Sequence, residues 1–123
     1  MTSDRYLRAG HVVVHPGGGG IALEDAFMRR LGVSRRVEAS TFSFLSAAHL
    51  VVGTHRIATM HSRLAREAAR ALPIAIRDMP MVMPKMEQCM QWHKHRTSDQ
   101  GIAWLRMLIR ESVLAMDGML DAV

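Results

Sequence analysis

The residues of this chain that most resemble a chemical site lie in MQWHKHRTSDQGIAWLR, Met90 to Arg106. His93 and His95 are one residue apart, and Cys89 lies four positions before the first of them. Thiolate and imidazole groups are ligands that zinc prefers. If the segment is a strand, all three side chains point to one face, but the step from Cys89 to His93 then spans about 13 Å. Only the two histidines could share an ion, and two ligands are half of a structural site, so we expect no metal.

A glycine-rich loop is a second candidate for chemistry. Gly17, Gly19 and Ala22 fit the pattern G-x-G-x-x-A between a predicted strand and a predicted helix. Glu38 follows at a distance that suits a ribose-binding acid. However, the segment that should carry this acid contains two adjacent arginines, whereas the second strand of a doubly wound sheet is normally buried on both faces. A nucleotide-binding enzyme fragment therefore stays an alternative hypothesis.

Nucleophilic catalysis has little support in the sequence. No serine lies in a G-x-S-x-G nucleophile elbow. Cys89 falls in a predicted strand, away from a helix start that would lower its pKa. The serine and threonine hydroxyls near predicted helices are explained as N-caps. We predict no catalytic residue and expect that the chain is not an enzyme.

Size and composition indicate one small cytoplasmic domain. The chain has 123 residues, 49% of them hydrophobic and 22% charged, which is ordinary globular composition. It has no signal-peptide pattern, no apolar stretch of membrane-spanning length, and a single cysteine, which cannot staple a secreted fold. The net charge of +5 keeps a basic nucleic-acid-binding module as a second alternative, although the arginines are dispersed and no known recognition motif accompanies them.

Apolar periodicity and turn residues predict alternating strands and helices. The predicted strands are residues 11–14, 33–39, 57–60, 72–76 and 86–95; the predicted helices begin near residue 21, after Thr41 or Ser43, at Ser62, and after Thr97. The first helix should carry Leu23, Phe27 and Leu31 on one stripe and stop at Gly32, and the second should be buried nearly all round. The spacing of Thr97 and Gln100 predicts a T-x-x-Q capping box for the last helix, which should end near Gly118. This alternation predicts an α/β fold with a mainly parallel sheet.

The last third of the chain resembles a known family. The resemblance rests on three short motifs: Trp92-His93, then Asp99, then Trp104-Leu105-Arg106. In that order they resemble the C-terminal signature of LysR-type transcriptional regulators, in particular the branch that includes the nodulation regulators. DRYLRAGHVVV and TFSFLSAAHLVVGTHRIATMHSRLAREAA are similar to earlier segments of the same family. His95, Gln100 and His61 depart from the branch, which usually has Arg, Pro and Pro there.

The resemblance implies the fold. It implies that the chain is one partial domain, with residues of about 8–84 forming the second lobe of a periplasmic-binding-protein-like (type 2) domain, a mixed sheet flanked by helices. Residues 85–118 would be a crossing strand and a C-terminal helix that return to the first lobe. We expect most of that first lobe and the N-terminal helix-turn-helix to be absent from this chain. The stripe of Ile102, Leu105, Ile109 and Val113 is then expected to be exposed unless dimerisation covers it.

The same resemblance implies the function. A sensor domain of this family binds a small effector between its lobes, here an aromatic or carboxylate molecule, with no cofactor. Further expected properties are a homodimer or higher oligomer, contact with DNA only through the absent helix-turn-helix domain, and no membrane association. The effector-binding residues implied are Ser40, Thr41, Phe42, Ser43, Met60, His61, Trp92 and His93.

Overall fold

The computed structural model describes the backbone of residues 1–120 and the side chains of residues 1–116. The chain divides into two compact units, Met1–Pro84 and a second that begins at Lys85. The helices are α1 (Ser3–Arg8), α2 (Leu23–Arg30), α3 (Phe44–Val51), α4 (Ser62–Ala71) and α5 (Gln100–Leu120), and the strands are β1 (Gly10–Val14), β2 (Arg36–Thr41) and β3 (Ile57–Ala58). Short 3-10 turns span Gly17–Gly19 and Lys94–Arg96.

The three strands form one sheet in the first unit, in the order β2-β1-β3. Both pairings of β1 are parallel, and all five of its residues are buried. A run of β-branched residues buried on both faces is typical of a central parallel strand. The α/β prediction is confirmed. The described strands pair only in parallel, where the family resemblance implied a mixed sheet.

Alternate residues of β1 serve the two faces of the sheet, because successive side chains of a strand point in opposite directions. Val12 packs with Ala47 of α3 in the main apolar cluster. His11 lies edge-on against the ring of Tyr6 in α1, with 4.7 Å between ring centroids. The Tyr6 hydroxyl in turn lies 2.7 Å from the Thr59 hydroxyl, next to β3. Strand β1 therefore contacts α3 on one face of the sheet, α1 on the other face, and β3 along its edge.

Helix α2 ends where the glycine predicted it would. Gly32 has φ of 65°, and the Val33 amide donates to the Met28 carbonyl at 2.9 Å, which closes a Schellman motif. The stripe of Leu23, Phe27 and Leu31 is not the buried side of α2, because Leu23 and Leu31 are exposed and Met28 is the buried side chain. A helix of eight residues buries only the side chain that faces its neighbours.

Helix α3 is less buried than predicted. Ala47 and Ala48 are buried, but 59% of Leu45 and 39% of Leu50 are exposed. Only one face of the helix packs on β1, so apolar residues on the other face remain at the surface of this unit.

The predicted strands at 72–76 and 86–95 are absent. Both segments are irregular, apart from the 3-10 turn at Lys94–Arg96. A strand needs a hydrogen-bonded neighbour, and the described sheet holds only β1, β2 and β3. In the second unit, no described segment offers 86–95 a partner strand. Residues 80–84 form neither a helix nor a strand, which agrees with the missing amide donors of Pro80 and Pro84.

Helix α5 starts from a different cap than the sequence predicted. Asp99 accepts the Ile102 amide through Oδ1 at 3.0 Å, so the carboxylate is the N-cap. Thr97 instead donates its hydroxyl to the Lys94 carbonyl at 2.8 Å and belongs to the preceding turn. The helix also continues past Gly118 to Leu120, so the predicted end was wrong.

The apolar stripe of α5 is exposed, as expected. Leu105, Ile109 and Val113 are exposed, and Ile102 is partly buried. Among the described residues, no helix is both long and apolar enough to cross a membrane.

Candidate functional site

The carboxyl ends of the three parallel strands meet at one edge of the sheet, here called the carboxyl edge. Ligands of open α/β sheets bind in the crevice outside such an edge. Ser40 and Thr41 end β2, paired with Val13 and Val14 of β1. Phe42 and Ser43 follow β2, whereas Met60 and His61 follow β3. The structure therefore places six of the eight predicted site residues at or next to this edge.

Two contacts link the loops across the carboxyl edge. The His15 amide, directly after β1, donates to the Thr41 carbonyl at 2.7 Å. The rings of Phe44 and His61 lie edge to face with 5.8 Å between their centroids. The loop after β2 and the loop after β3 are thus neighbours, although β1 lies between the two strands.

The loop from Thr41 to Ser43 leaves the start of α3 without a side-chain cap. Ser43 is the N-cap of α3, with extended backbone angles, but its side chain makes no capping hydrogen bond. The Ser43 amide donates to the Thr41 hydroxyl over a long 3.4 Å. The first amides of α3 consequently lack the side-chain acceptor that usually satisfies them. Phe42 is 80% exposed between these residues.

A cluster of charged side chains near the carboxyl edge was missed in the sequence. Arg35, whose side chain is 5% exposed, pairs with Asp25, and the second oxygen of that carboxylate lies 3.8 Å from His15 Nδ1. Burial raises the pKa of the neighbouring Glu24 carboxyl, while its own amide, Arg35 and His61 oppose that rise. The signal was present: Glu24 and Asp25 fill the first turn of α2, which follows the glycine loop leaving β1.

Met60 also lines a cleft of about 460 Å³ beside β3, bordered by α3, α4 and residues 73–80. Its lining is mostly apolar. None of the other predicted effector residues contributes to that cleft.

Trp92 and His93 belong to the second unit, and neither lies on a strand. His93 caps the 3-10 turn, accepting the His95 amide through Nδ1 at 3.3 Å. Trp92 Nε1 donates to the Thr97 hydroxyl at 3.2 Å. The Arg106 guanidinium carbon lies 3.7 Å from the Trp92 ring centroid, a stacking contact that sequence reasoning did not anticipate. In the sequence, this contact was indicated only by the Trp-His and Trp-Leu-Arg motifs, which contain its two residues.

Potential metal ligands do not converge. The rings of His93 and His95 are 5.0 Å apart, and Cys89 is exposed. Within the part of the chain that the structure describes, no group of three or more His, Cys, Asp or Glu side chains is placed to hold an ion.

The nucleotide-binding alternative conflicts with the position of Glu38. Its carboxylate lies against Gly10, at the start of β1, where a Cβ atom would collide with it. It also pairs with Arg36 and Arg56 at 2.9 and 3.0 Å. The glycine loop follows the opposite end of β1, so this acid cannot meet a ribose whose phosphates lie on that loop.

The nucleic-acid alternative is weakened by ion pairs. Among the described residues, arginines that pair with a carboxylate include Arg8, Arg35, Arg36, Arg56, Arg70 and Arg96. A guanidinium already held by a carboxylate is less available to a phosphate, so the positive charge of the sequence overstates the basic surface.

Comparison with known proteins gives relatives but no matching family model. Nodulation protein D 2 of Bradyrhizobium diazoefficiens is 35% identical over 117 residues, which is 94% of this chain and 36% of that protein. Nodulation protein D 1 of Rhizobium leguminosarum bv. phaseoli is 32% identical over 94% of this chain and 37% of its own length. Nodulation protein D 3 of Mesorhizobium japonicum is 30% identical over 94% of this chain and 39% of its own length. The chain thus spans less than two fifths of these curated relatives.

Proposed function

Since the chain is a homologue of the nodulation D proteins, which are LysR-type transcriptional regulators, we propose that it is the ligand-sensing part of such a regulator. The first unit is the second lobe of a periplasmic-binding-protein-like domain, and the carboxyl edge is its share of the effector site. It acts in the cytoplasm by binding and not by catalysis. DNA recognition and most of the first lobe belong to other segments of the regulator.

The observation that carries this proposal is the unused polarity of the Thr41–Ser43 loop. A side chain that capped α3 would satisfy its first amides, but Ser43 makes no such bond. Free amides at a helix start suit an anionic or phenolic oxygen. The exposed ring of Phe42 lies next to them and can cover an aromatic ring. Loop and ring together therefore favour a small aromatic molecule that carries an oxygen anion or a phenol.

The charged cluster around Arg35 would add to effector specificity by selecting the hydrogen-bonding groups of the ligand. Arg35 and Asp25 hold each other in a nearly buried pair, so the neighbouring Glu24 is the carboxyl of this cluster that can interact with a ligand. Because burial raises the pKa of Glu24, its protonated form is more accessible than that of a surface glutamate. A carboxylic acid can donate to a ligand oxygen, whereas a carboxylate can only accept.

Signalling follows from differential affinity. An effector that binds one arrangement of the lobes more tightly than another shifts the population toward it, and a tenfold preference corresponds to about 1.4 kcal/mol. The shift would pass to the homodimer or higher oligomer that holds DNA. The exposed stripe of α5 then packs on another part of the regulator, which removes apolar side chains from water.

The proposal is tested by NMR titration of the chain with salicylate, which carries both a carboxylate and a phenol. We expect the amide signals of Thr41, Phe42 and Ser43 to shift with one saturable affinity, and the amide of Gly53, at the far end of α3, to stay in place. Ser43→Asp should leave the fold unchanged, because aspartate is a good N-cap, but weaken binding several-fold, since its carboxylate would occupy the free amides of α3 and repel an anion. Salicylate that binds by calorimetry without moving these three amides would reject the site.

A further inference from the structure

Arg106 is held flat against the indole of Trp92 in the second unit. Its guanidinium carbon lies 3.7 Å from the ring centroid. The ring itself is fixed, because Trp92 Nε1 donates to the Thr97 hydroxyl at 3.2 Å and that hydroxyl donates to the Lys94 carbonyl at 2.8 Å. The 3-10 turn therefore holds the Trp92 ring through Thr97, and the ring in turn holds the Arg106 guanidinium in a defined orientation.

The same guanidinium has no anionic partner within the described chain. Its Nε atom is buried without an acceptor, and no carboxylate among residues 1–116 pairs with it. Arg96, ten residues earlier, is bound to Asp99 at 2.9 Å and shows the ordinary solution for an arginine in this unit. Since Arg106 is partly exposed and only its Nε is buried and unsatisfied, its two terminal nitrogens remain accessible.

A stacked guanidinium with a free outer edge is suited to a planar oxyanion. Its two terminal N–H groups can form parallel hydrogen bonds to both oxygens of a carboxylate, and such charge-assisted pairs are about twice as strong as neutral ones. Trp92 is still 36% exposed beside the guanidinium, so it leaves indole surface for a second ring.

The net charge of the second unit favours a small anion over a polyanion as its ligand. From Lys85 onward the sequence holds five Lys and Arg residues and five Asp and Glu residues, so their formal charges cancel. Attraction to nucleic acid requires a surplus of cations that release counterions from phosphates. One oriented arginine in a neutral surrounding favours a single carboxylate.

We propose that Arg106 and Trp92 form a binding site for an aromatic carboxylate, with the carboxylate on the terminal nitrogens of Arg106 and the ring on the indole. This inference rests on the proposed function for the class of ligand, an aromatic carboxylate, whereas the site itself lies within the second unit. Arg106 is a ligand-binding residue that the family motif does not by itself assign, and Trp92 is its positioning partner.

The test uses the two tryptophans of the chain. In the Trp104→Phe variant, Trp92 is the single indole and reports binding by its fluorescence. At constant ionic strength, benzoate should change this signal saturably. Benzamide, which has the ring without the charge, and acetate, which has the charge without the ring, should each bind on the order of tenfold more weakly.

Variants on the same helix separate a specific contact from general attraction. In the Trp104→Phe background, Arg106→Gln should weaken benzoate binding on the order of tenfold or more, and Arg106→Lys should recover only part of that loss because it has no fork. Arg110→Gln, one turn further along α5, removes the same charge outside the stack and should change the affinity by less than about twofold. Circular dichroism checks that each variant keeps its helix.

Two results would overturn the site: linear, unsaturable quenching by benzoate, or equal loss in Arg106→Gln and Arg110→Gln. The proposed function fails separately. If either of these benzoate results is found while salicylate still shifts the Thr41–Ser43 amides saturably, the sensor proposal stands and the Arg106 site is wrong. If benzoate binds at Arg106 while salicylate binds without moving those amides, the Arg106 site stands without the proposed effector edge.

Discussion

Val12 in the first unit and Val113 in the second are the same side chain in two environments. Val12 is 1% exposed and packs with Ala47, whereas Val113 is 37% exposed on a helix whose apolar stripe has no cover. The first unit derives its order from a strand buried on both faces. The second derives it from local contacts, namely the Asp99 cap and the Arg106–Trp92 stack. We expect the functions to differ in the same way: the buried strand of the first unit can position ligand-binding loops, whereas the exposed apolar stripe of α5 can pack against a partner.

The largest expected effect is the loss of stability on truncating Val12, and the same truncation of Val113 is its control. Val12→Ala removes two buried methyl equivalents from a packed cluster and should lower the free energy of unfolding by about 2 kcal/mol. Val113→Ala makes the same chemical change at an exposed position and should cost less than about 0.5 kcal/mol. Urea unfolding followed by circular dichroism measures both.

Equal losses for the two variants would break the comparison, because they would mean that the α5 stripe is covered in solution. Repeating the Val113→Ala measurement over a range of protein concentrations then tells whether a second copy provides that cover, since an oligomer gains stability with concentration.

The next effect is a loss of stability in acid, carried by His11. Burial lowers the pKa of this imidazole, and its Nδ1 has no partner, although Nε2 donates to the Tyr6 carbonyl at 2.9 Å. Arg35 and Arg36 also disfavour the cation. Because the folded pKa lies below the unfolded one, unfolding takes up a proton once the pH falls below about 6.5. The free energy of unfolding should therefore fall by at most about 1.4 kcal/mol per pH unit from this group.

His11→Gln keeps a donor for the Tyr6 carbonyl but does not titrate. It should be less stable than wild type at pH 7 and lose this share of the acid dependence, as measured by urea unfolding between pH 5 and 7.5. His55→Gln, at an exposed position, is the matched control and should keep the wild-type slope. An unchanged slope in His11→Gln would show that other groups govern acid stability.

The smallest effect concerns the start of α5. Asp99→Ala removes the acceptor of the Ile102 amide, so that amide should exchange with solvent faster and the helical signal should decrease. Thr97→Ala should leave the Ile102 amide protected and instead disturb the Trp92 environment. The hydrogen bond from Ile102, followed by Arg96, lowers the pKa of Asp99, so the stabilisation from the cap should be fully present above the ordinary pKa of an aspartate and be lost as the pH falls through the lowered pKa of the folded state.

Local signals predicted most of the first unit. The β-branched run before Pro16 indicated β1, and Gly32 indicated the end of α2, because each depends on the chemistry of a few adjacent residues. The prediction failed where a neighbour was needed. Residues 72–76 and 86–95 have strand-like patterns, but a pattern cannot supply the second strand that completes a ladder.

The candidate site divides in the same way. The motifs pointed to the Thr41–Ser43 loop and to Trp92, because these residues carry the family resemblance. Glu24 and Arg106 were missed, because the acidic first turn of α2 does not reveal burial and the Trp-Leu-Arg motif does not reveal a stacking contact with Trp92. The effector residues themselves stay predictions that the titrations above test.

By itself, the sequence indicated the resemblance to nodulation D proteins, the alternation of strands and helices from β1 to α4, and the apolar stripe of α5, because all three depend on residue types at fixed spacing. Only the tertiary structure decided which loops share an edge, that Glu38 lies at the wrong end of β1 for a nucleotide, and that one arginine has a ring instead of a carboxylate. The physical reason is range: periodicity and capping act over a few residues, whereas pairing, burial and charge act between residues that the fold brings together.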